Sequence, residues 1–157
     1  MRVTRTLLTL AQLGRAHWLF GNLYEAVARV PDRMSEPPDA TGADPRLESA
    51  FAEGSPARYF VPGLPITFGA TIAALATGWK QPSGRGWLLA SAASTLAGGA
   101  ATVHLVRNVN PKLFVAGPPL SPDERKALLK TWYRLNACRI AAAAVGMLTA
   151  EIARDRH

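Results

Sequence analysis

The chain has 157 residues, 48% of them hydrophobic, and a formal net charge of +7, which suits one domain over residues 1–157. The basic residues are dispersed rather than clustered among aromatic residues, so nucleic-acid binding is not indicated. The single cysteine, Cys138, excludes an internal disulfide and a multi-cysteine metal site, and we interpret it as a small apolar filler of the last helix. Arginine outnumbers lysine 14 to 4 and alanine is abundant, which is typical of a GC-rich bacterial genome.

The first hydrophobic segment predicts a helix over residues 4–30 that ends at Pro31. It follows a basic start, but Arg15, His17 and Glu25 interrupt it and no clean cleavage site follows, so we interpret it as a retained helix rather than a signal peptide. The loop at residues 31–58 carries six acidic and three basic residues. Its proline, glycine and serine content favours an irregular solvated segment, with a short helix over residues 46–53.

Two further runs, residues 59–79 and 86–106, contain no Asp, Glu, Lys or Arg. Each is close to the roughly 20 residues that cross a hydrocarbon core. They predict helices over residues 62–79 and 86–108, the second of which is broken at Asn110–Pro111.

Ser121, Pro122 and Glu124 form a helix-start pattern that predicts a fourth helix over residues 122–153. The first and fourth segments contain charges, and either could instead be an amphipathic helix on a soluble core. We favour spanning helices, because the two clean spans supply a bundle interior in which those charges can be paired.

The predicted fold is therefore all-α: an integral membrane four-helix bundle in up-down-up-down order, with the long acidic loop between the first two helices. It is a multi-pass protein of the cell membrane, in contact with lipid. Basic residues at both ends and in the turn after residue 79 place the termini in the cytoplasm, although bases at residues 112–130 fit this orientation less well. Trp79 and Trp87 are interpreted as interface anchors, and Trp18 is expected inside the bundle.

Polar residues within the predicted spans mark the candidate site, because ionisable groups in a membrane are costly and by default functional. At 100° per residue, His17 and Glu25 share a stripe of the first helix with Gly14, Trp18 and Gly21, whereas Asn22 lies on another face. The third helix presents His104, Arg107 and Asn108 on one face, and the fourth presents Trp132, Asn136 and Arg139.

In an antiparallel bundle the end of the first helix, the end of the third and the start of the fourth meet on one side. We therefore expect a cluster at one depth, with His17 about 12 Å lower along the first helix. The cluster comprises Glu25, His104, Asn108, Asn136 and Arg139.

Each of these residues also has a structural interpretation. Glu25 and Arg139 can be a buried ion pair, the two asparagines can bridge helices, and the histidines can be satisfied interior side chains. His17, Glu25 and His104 form a possible ligand set for a first-row metal, but their spacing matches no tight motif. A transporter is disfavoured, because neither inverted repeats nor broken mid-span helices are visible.

Four motifs resemble the anthrone-oxygenase-like family of integral membrane proteins, in a likeness that spans nearly the whole chain. The most specific part is the pair Asn108 and Asn110, followed by Trp132, Asn136 and Arg139. The first-helix His and Glu resemble a subgroup feature that marks a different substrate. The motifs are His17-Trp-Leu-Phe-Gly-Asn-Leu-Tyr-Glu25, Pro62-Gly-Leu-Pro65, Asn108-Val-Asn-Pro-Lys-Leu-Phe114 and Leu129-Lys-Thr-Trp-Tyr-Arg-Leu-Asn-Ala-Cys-Arg139.

The resemblance implies a four-helix membrane fold and, in the characterised branch, oxidation of an anthrone to an anthraquinone by dioxygen without a conventional organic cofactor. The resulting hypothesis is a membrane-embedded oxygenase of secondary metabolism acting on an apolar, aromatic or phenolic small molecule. The base would be His17, Glu25 or His104, and the group that stabilises the enolate would comprise Asn108, Asn136 and Arg139.

Two questions about function stay open on the sequence. One is the cofactor, which is either nothing beyond dioxygen or a bound first-row metal. The other is whether the protein is an enzyme at all, since the alternative is a non-catalytic membrane protein or scaffold whose polar residues tie its helices together. The oligomeric state is also open.

Overall fold

The computed structural model describes residues 2–37 and 46–157, and within them the chain is helical apart from turns and one isolated bridge. We number the long helices in chain order and treat each as continuous through any π-helical turn. They are the first helix Arg2–Val27, the second helix Pro56–Gly78, the third helix Pro82–Phe114 and the fourth helix Pro122–Asp155.

Three of these helices are long and apolar enough to cross a membrane, judged by length and composition within the described residues. They are the second, third and fourth, with 23, 33 and 34 residues. The first helix has 26 residues and lies outside this set. Polar side chains such as Arg15, His17 and Asn22 interrupt its apolar sequence.

The first helix packs against the second and the fourth. Thr4 donates a hydrogen bond to Thr77 at 3.1 Å, and further along the first helix Gly21 lies against Tyr59 and Phe60. Residue numbers fall along the second helix as they rise along the first, so this pair is antiparallel. A Cβ added to Gly21 would lie 2.5 Å from the Tyr59 ring, which shows why glycine is required at this close approach.

The first and fourth helices also run in opposite directions. Gln12 Nε2 donates to Glu151 Oε2 at 2.6 Å, whereas Asn136 Nδ2 donates to the Asn22 carbonyl at 2.9 Å. The predicted inward face of the fourth helix is confirmed, since Trp132, Asn136 and Arg139 are all buried.

Two apolar clusters lie at opposite ends of the helices. One joins all four long helices and is nearly free of exposed surface. It comprises Leu8, Ala74, Leu88, Ala150 and Ala153. The other is built by the end of the third helix and the start of the fourth. It comprises Leu105, Val109, Leu113, Phe114 and Trp132.

Two π-helical turns, Pro65–Gly69 and Leu105–Val109, interrupt the second and third helices. The predicted break at Asn110–Pro111 is wrong, because the helix continues to Phe114. The π turn directly before Pro111 changes the hydrogen-bonding pattern where that residue has no N–H to donate. Proline is likewise accommodated in the second helix, which begins at Pro56 rather than at residue 62.

The fourth helix begins as predicted. Ser121 Oγ accepts from the Glu124 amide at 3.3 Å, and the Glu124 carboxylate accepts from the Ser121 amide at 3.0 Å. This reciprocal pair satisfies two backbone donors that a helix start leaves open. Cys138 is exposed on the surface of this helix, so it is not an interior filler.

The connection after the first helix differs from the prediction. The helix ends at Val27, and Arg29 adopts a left-handed conformation (φ 51°) before a short helix, Val30–Met34, that contains Pro31. The predicted helix over residues 46–53 is absent: these residues form turns, and Leu47 bridges to Val115. The rest of the predicted loop, residues 38–45, lies outside the described residues.

The short helix Val30–Met34 is fixed to the fourth helix by two polar side chains. Arg125 donates to the carbonyls of Asp32 and Ser35, both at 2.7 Å. The Tyr133 hydroxyl donates to the Asp32 carboxylate. The end of the first helix is therefore held in place beside the start of the fourth.

Candidate functional site

A cleft of about 550 Å³ opens between the end of the first helix and the start of the second. Its walls are largely aromatic, and a carboxylate lies among them. The side chains that give it this character are Phe20, Tyr24, Glu25, Tyr59 and Phe60. We call this the aromatic cleft. Its volume falls within the roughly 300–1,000 Å³ of sites that bind small organic molecules.

Glu25 is buried where the aromatic cleft meets the bundle interior, with Arg139 behind it. Arg139 Nη1 lies 4.0 Å from Glu25 Oε2, a distance that brings the charges together without a hydrogen bond. Glu25 Oε2 has no hydrogen-bond partner among the described residues. Charge attraction, rather than a hydrogen bond, therefore links the buried Oε2 to Arg139.

Arg139 is oriented by aromatic rings. Its guanidinium lies 5.1 Å from the centre of the Phe60 ring and 5.7 Å from that of Trp18. Both distances are within the range at which a cation is attracted to a ring face. Phe60 therefore contacts the guanidinium on one side and lines the aromatic cleft on the other.

Asn22 and Asn136 join the first and fourth helices one turn away from the ion pair. Both are almost completely buried, at 0% and 1% exposed. Asn136 Nδ2 donates to the backbone carbonyl of Asn22. Asn22 Oδ1, Asn22 Nδ2 and Asn136 Oδ1 have no hydrogen-bond partner in the described part of the chain. The sequence placed Asn22 on a different face from His17 but three residues from Glu25 and within its reach, and the structure buries Asn22 beside the site. The first helix is buried on two sides, so its interior sector is wider than one stripe.

His17 is half-buried behind the cleft wall. Its Nε2 lies 2.9 Å from the Tyr59 carbonyl, and its ring stacks on the Tyr59 ring at 4.1 Å. If Nε2 carries the proton, it donates to that carbonyl and Nδ1 is left as the acceptor. His17 thus fixes the wall of the aromatic cleft.

Arg15 is a buried charge that the helical periodicity did not reveal. It is 2% exposed and donates to three hydroxyls: Thr71 Oγ1 and Ser91 Oγ at 2.8 Å, and Thr95 Oγ1 at 2.9 Å. A charged residue in the middle of an apolar segment was the available signal. Its direction could not be assigned, because it lies outside the stripe through His17 and Glu25.

Arg15 and Arg139, both buried, line a small and partly open pocket of about 30 Å³ between the helices, which we call the inner chamber. Trp18 forms another part of its wall, and small residues of the third and fourth helices complete it. The inner chamber and the aromatic cleft share no lining residue, but Arg139 contacts both regions, since it also pairs with Glu25.

Residues 54–149 match the family model described as anthrone oxygenase. The match covers more than half of the 157 residues. The chain belongs to the anthrone oxygenase family. No curated protein and no solved structure matched it.

The resemblance inferred from the motifs is thus confirmed, over a shorter length than predicted. The family match includes the second and third helices and most of the fourth, with Tyr59, Phe60 and Arg139. The first helix, which supplies Arg15 and Glu25, lies before the matched residues. In this anthrone oxygenase family member, the ion pair therefore joins a residue outside the match to one inside it.

The structure does not bring His104 and Asn108 to the ion pair. Both are exposed on the third helix, and the Asn108 amide bonds to the His104 carbonyl within that helix. The buried positions here recur every four residues, at Ala101, Leu105 and Val109. This face continues the one that Leu88 and Ser91 set earlier in the helix, and at 100° per residue His104 lies far from it, so the predicted inward face was wrong.

The three metal candidates are likewise not gathered. His104 is exposed on the third helix, whereas Glu25 is buried and His17 is bound to Tyr59. Among the described residues, no group of three or more His, Cys, Asp or Glu side chains is placed to hold a metal ion.

Proposed function

We propose that this member of the anthrone oxygenase family is a membrane-embedded oxygenase that oxidises an apolar, aromatic or phenolic small molecule with dioxygen. The observation that carries the proposal is the aromatic cleft with Glu25 in its wall and Arg139 behind it. Aromatic walls favour an apolar ring system, and a carboxylate without a hydrogen bond at Oε2 is suited to proton transfer.

The proposed membrane arrangement has four crossing helices in up-down-up-down order, with both termini in the cytoplasm. Its support is the part of the first helix from Leu13 to Val27, where two charged side chains point inward while several large apolar ones are exposed. Arg15 and Glu25 are buried, whereas Leu13, Phe20 and Val27 are 62%, 66% and 82% exposed. Such a distribution is expected of a helix whose surroundings are lipid.

Cysteine labelling in intact cells tests this topology. In a Cys138→Ser background, Ser83→Cys and Glu53→Cys place single thiols at exposed positions on either side of the second helix. A membrane-impermeant reagent should label Glu53→Cys from outside and Ser83→Cys only after the membrane is opened. Labelling of both from the same side would contradict the arrangement.

The chemistry proposed for the cleft begins with proton removal. The Glu25 carboxylate takes a proton from an acidic carbon of the substrate, and the positive charge of Arg139 stabilises the resulting enolate. The electron-rich carbon reacts with dioxygen. For an anthrone, the methylene carbon gains one oxygen atom as a carbonyl, while its two hydrogens leave with the other oxygen atom as water.

The remaining residues of the predicted catalytic set take different roles in this proposal. Asn136 holds the first and fourth helices together beside the ion pair. His17 positions Tyr59 and is the alternative base. His104 and Asn108 are exposed, so the proposal gives them no part in proton transfer.

The test is oxygen consumption by the purified protein in lipid nanodiscs, with anthrone as the probe substrate. We expect one dioxygen consumed per anthraquinone formed and one labelled carbonyl oxygen when ¹⁸O₂ is supplied. Because anthrone also oxidises spontaneously, the rate is compared with protein-free nanodiscs. Folded protein that adds nothing to that rate for anthrone or for hydroxylated anthrones would contradict the proposal.

One observation favours a second candidate, a non-catalytic membrane scaffold. The hydrogen bonds from Arg15 to hydroxyls of the second and third helices, and the bond between Asn136 and Asn22, all tie helices together. A scaffold would show no turnover, and substitutions at Glu25 and Arg139 would reduce its stability alone. Removing one partner of a buried pair leaves an unpaired charge and costs about 3–5 kcal/mol.

A further inference from the structure

The inner chamber collects positive charge in the interior of the bundle. Arg15 and Arg139 both line it, at 2% and 6% exposed. Arg139 is opposed by Glu25 at 4.0 Å. Arg15 contacts only neutral oxygens, and no carboxylate within residues 2–37 and 46–157 forms an ion pair with it. The two cations and one anion leave one positive charge uncompensated.

Three buried N–H groups around the inner chamber lack acceptors. They are Arg15 Nη1, Arg139 Nε and Trp18 Nε1, each without a hydrogen-bond partner among the described residues. All three side chains are more than nine-tenths buried. Buried donors of this kind almost always have a partner in folded proteins, and leaving charged donors unpaired is costly.

We propose that the inner chamber binds one small monovalent anion, of the size of a halide ion, between Arg15 and Arg139. The anion compensates the charge of Arg15 and accepts hydrogen bonds from the guanidinium and indole groups. This assignment concerns a ligand other than the substrate of the aromatic cleft, and it stands whether or not the protein is an oxygenase.

The dimensions of the inner chamber agree with this occupant. Its volume of about 30 Å³ is enough for about two water molecules, or for one ion somewhat larger than water. An aromatic ring does not fit. Beyond the charged groups, the wall combines the hydroxyl side chains of the second and third helices with apolar ones such as Phe68, Ala142 and Ala143. The apolar part favours a weakly hydrated anion over a strongly hydrated one.

A route from the outside is visible on the third-helix side. A lateral cleft of about 360 Å³ shares Trp18, Phe68 and Gly99 with the inner chamber. These three residues separate the inner chamber from the lateral cleft, and Arg107 lines the latter. In this proposal the ion enters past the Phe68 and Trp18 rings, which line both pockets.

The experiment measures thermal unfolding of the purified full chain in detergent, with sodium bromide replacing sodium gluconate at constant ionic strength. Gluconate is too large for the inner chamber. We expect the midpoint to rise with bromide concentration and then level off, because an anion that binds only the folded state stabilises it by mass action. In bromide-grown crystals, anomalous scattering should show a peak between Arg15 and Arg139.

Three variants decide the assignment. Arg15→Met should weaken the apparent bromide affinity about tenfold or more, because a hydrogen bond to a charged group is lost. Ala143→Val fills the inner chamber without changing its charge and should abolish the saturable response, which keeps the test informative if Arg15→Met fails to fold. Arg134→Met, at an exposed arginine of the fourth helix, is the matched control and should respond like the unmodified protein.

Two results would overturn the proposal. One is a response to bromide that rises linearly without saturation in the unmodified protein, as expected of a general salt effect. The other is a saturable response that Ala143→Val and Arg134→Met both retain, since the ion would then be bound outside the inner chamber.

Discussion

The two ends of the helix bundle are built differently from the same helices. At one end Leu8, Ala74, Leu88 and Ala150 are at most 2% exposed and pack without a charged group among them. At the other end the same first and fourth helices contribute Glu25 and Arg139, and the helices separate around the aromatic cleft. The first end is a closed core, and the second is an open polar site.

The difference shows where this chain accepts imperfect packing. Glu25 Oε2, Arg139 Nε and the Asn22 amide are buried without hydrogen-bond partners in the described part of the chain and lie toward the open end. Beside the closed core the corresponding atom is His157 Nε2. Buried polar atoms without partners are costly and tend to be retained where function requires them. The closed core therefore supports a site that is itself destabilising.

The largest expected effect is a loss of turnover at the open end. Glu25→Gln keeps the shape of the side chain but removes its basicity, so turnover in the nanodisc assay should fall about 10²–10⁴-fold. His104→Gln is the control at an exposed position and should remain within about twofold of the unmodified protein, the scatter allowed for a change outside the cleft. Loss of turnover in His104→Gln with retention in Glu25→Gln would move the base to the third helix.

The next effect concerns stability at the closed end. Leu8→Ala removes a side chain that is 1% exposed and should lower the free energy of unfolding by about 2–5 kcal/mol. Turnover per folded molecule should be unchanged, because the cleft is at the other end. Leu13→Ala, at a side chain that is 62% exposed, provides the control by denaturant titration. A matching loss of turnover in Leu8→Ala would show that the ends are coupled.

A smaller effect tests the close approach beside the cleft. Gly21→Ala places a methyl group 2.5 Å from the Tyr59 ring and should cost about 1–3 kcal/mol through overpacking. Gly69→Ala, also in a helix but with nothing within 4 Å, should instead raise the stability by about 0.5–1 kcal/mol. The two unfolding midpoints should therefore move in opposite directions, and a shared direction would argue against this packing of the first helix on the second.

The smallest effect is a pH dependence at Asp32, outside the spans. Partial burial raises the pKa of Asp32, but the Tyr133 hydroxyl and Arg29, at 2.8 Å, more than offset this and hold it below its ordinary value. The ionised Asp32 carboxylate therefore stabilises the folded state above about pH 4, and this contribution is lost as the pH falls through the lowered pKa. The difference in unfolding midpoint between the unmodified protein and Asp32→Asn should shrink on acidification, and one that grows would contradict the assignment.

The sequence predicted what regular helical periodicity determines. The inward face of the fourth helix, with Trp132, Asn136 and Arg139, was predicted because that helix follows 3.6 residues per turn. Its start was predicted from the capping pattern at Ser121. The burial of Trp18 was predicted from its position in the middle of the first segment. The family was recognised from motifs that the match at residues 54–149 largely includes.

Other features depend on contacts that a single helix does not reveal. Arg15 and Asn22 are interior because the first helix is covered on two sides, which the pattern of a single stripe cannot indicate. His104 faces outward because the third helix packs through the face of Leu88, Ser91 and Ala101, and its nearly uniform apolar sequence does not indicate which face is inward. The cleft itself required the approach of Tyr59 to Gly21, a contact between segments almost forty positions apart.

The hydroxyl partners of Arg15 have a consequence for biosynthesis. They belong to the second and third helices, while the guanidinium also packs on Gly146 of the fourth, 2.8 Å from where a Cβ would be. In the proposed four-span arrangement, the first helix emerges before any of them during translation, so Arg15 has no hydrogen-bond partners when it reaches the insertion machinery. We expect the amino-terminal segment to wait at the membrane surface and to integrate together with the later helices.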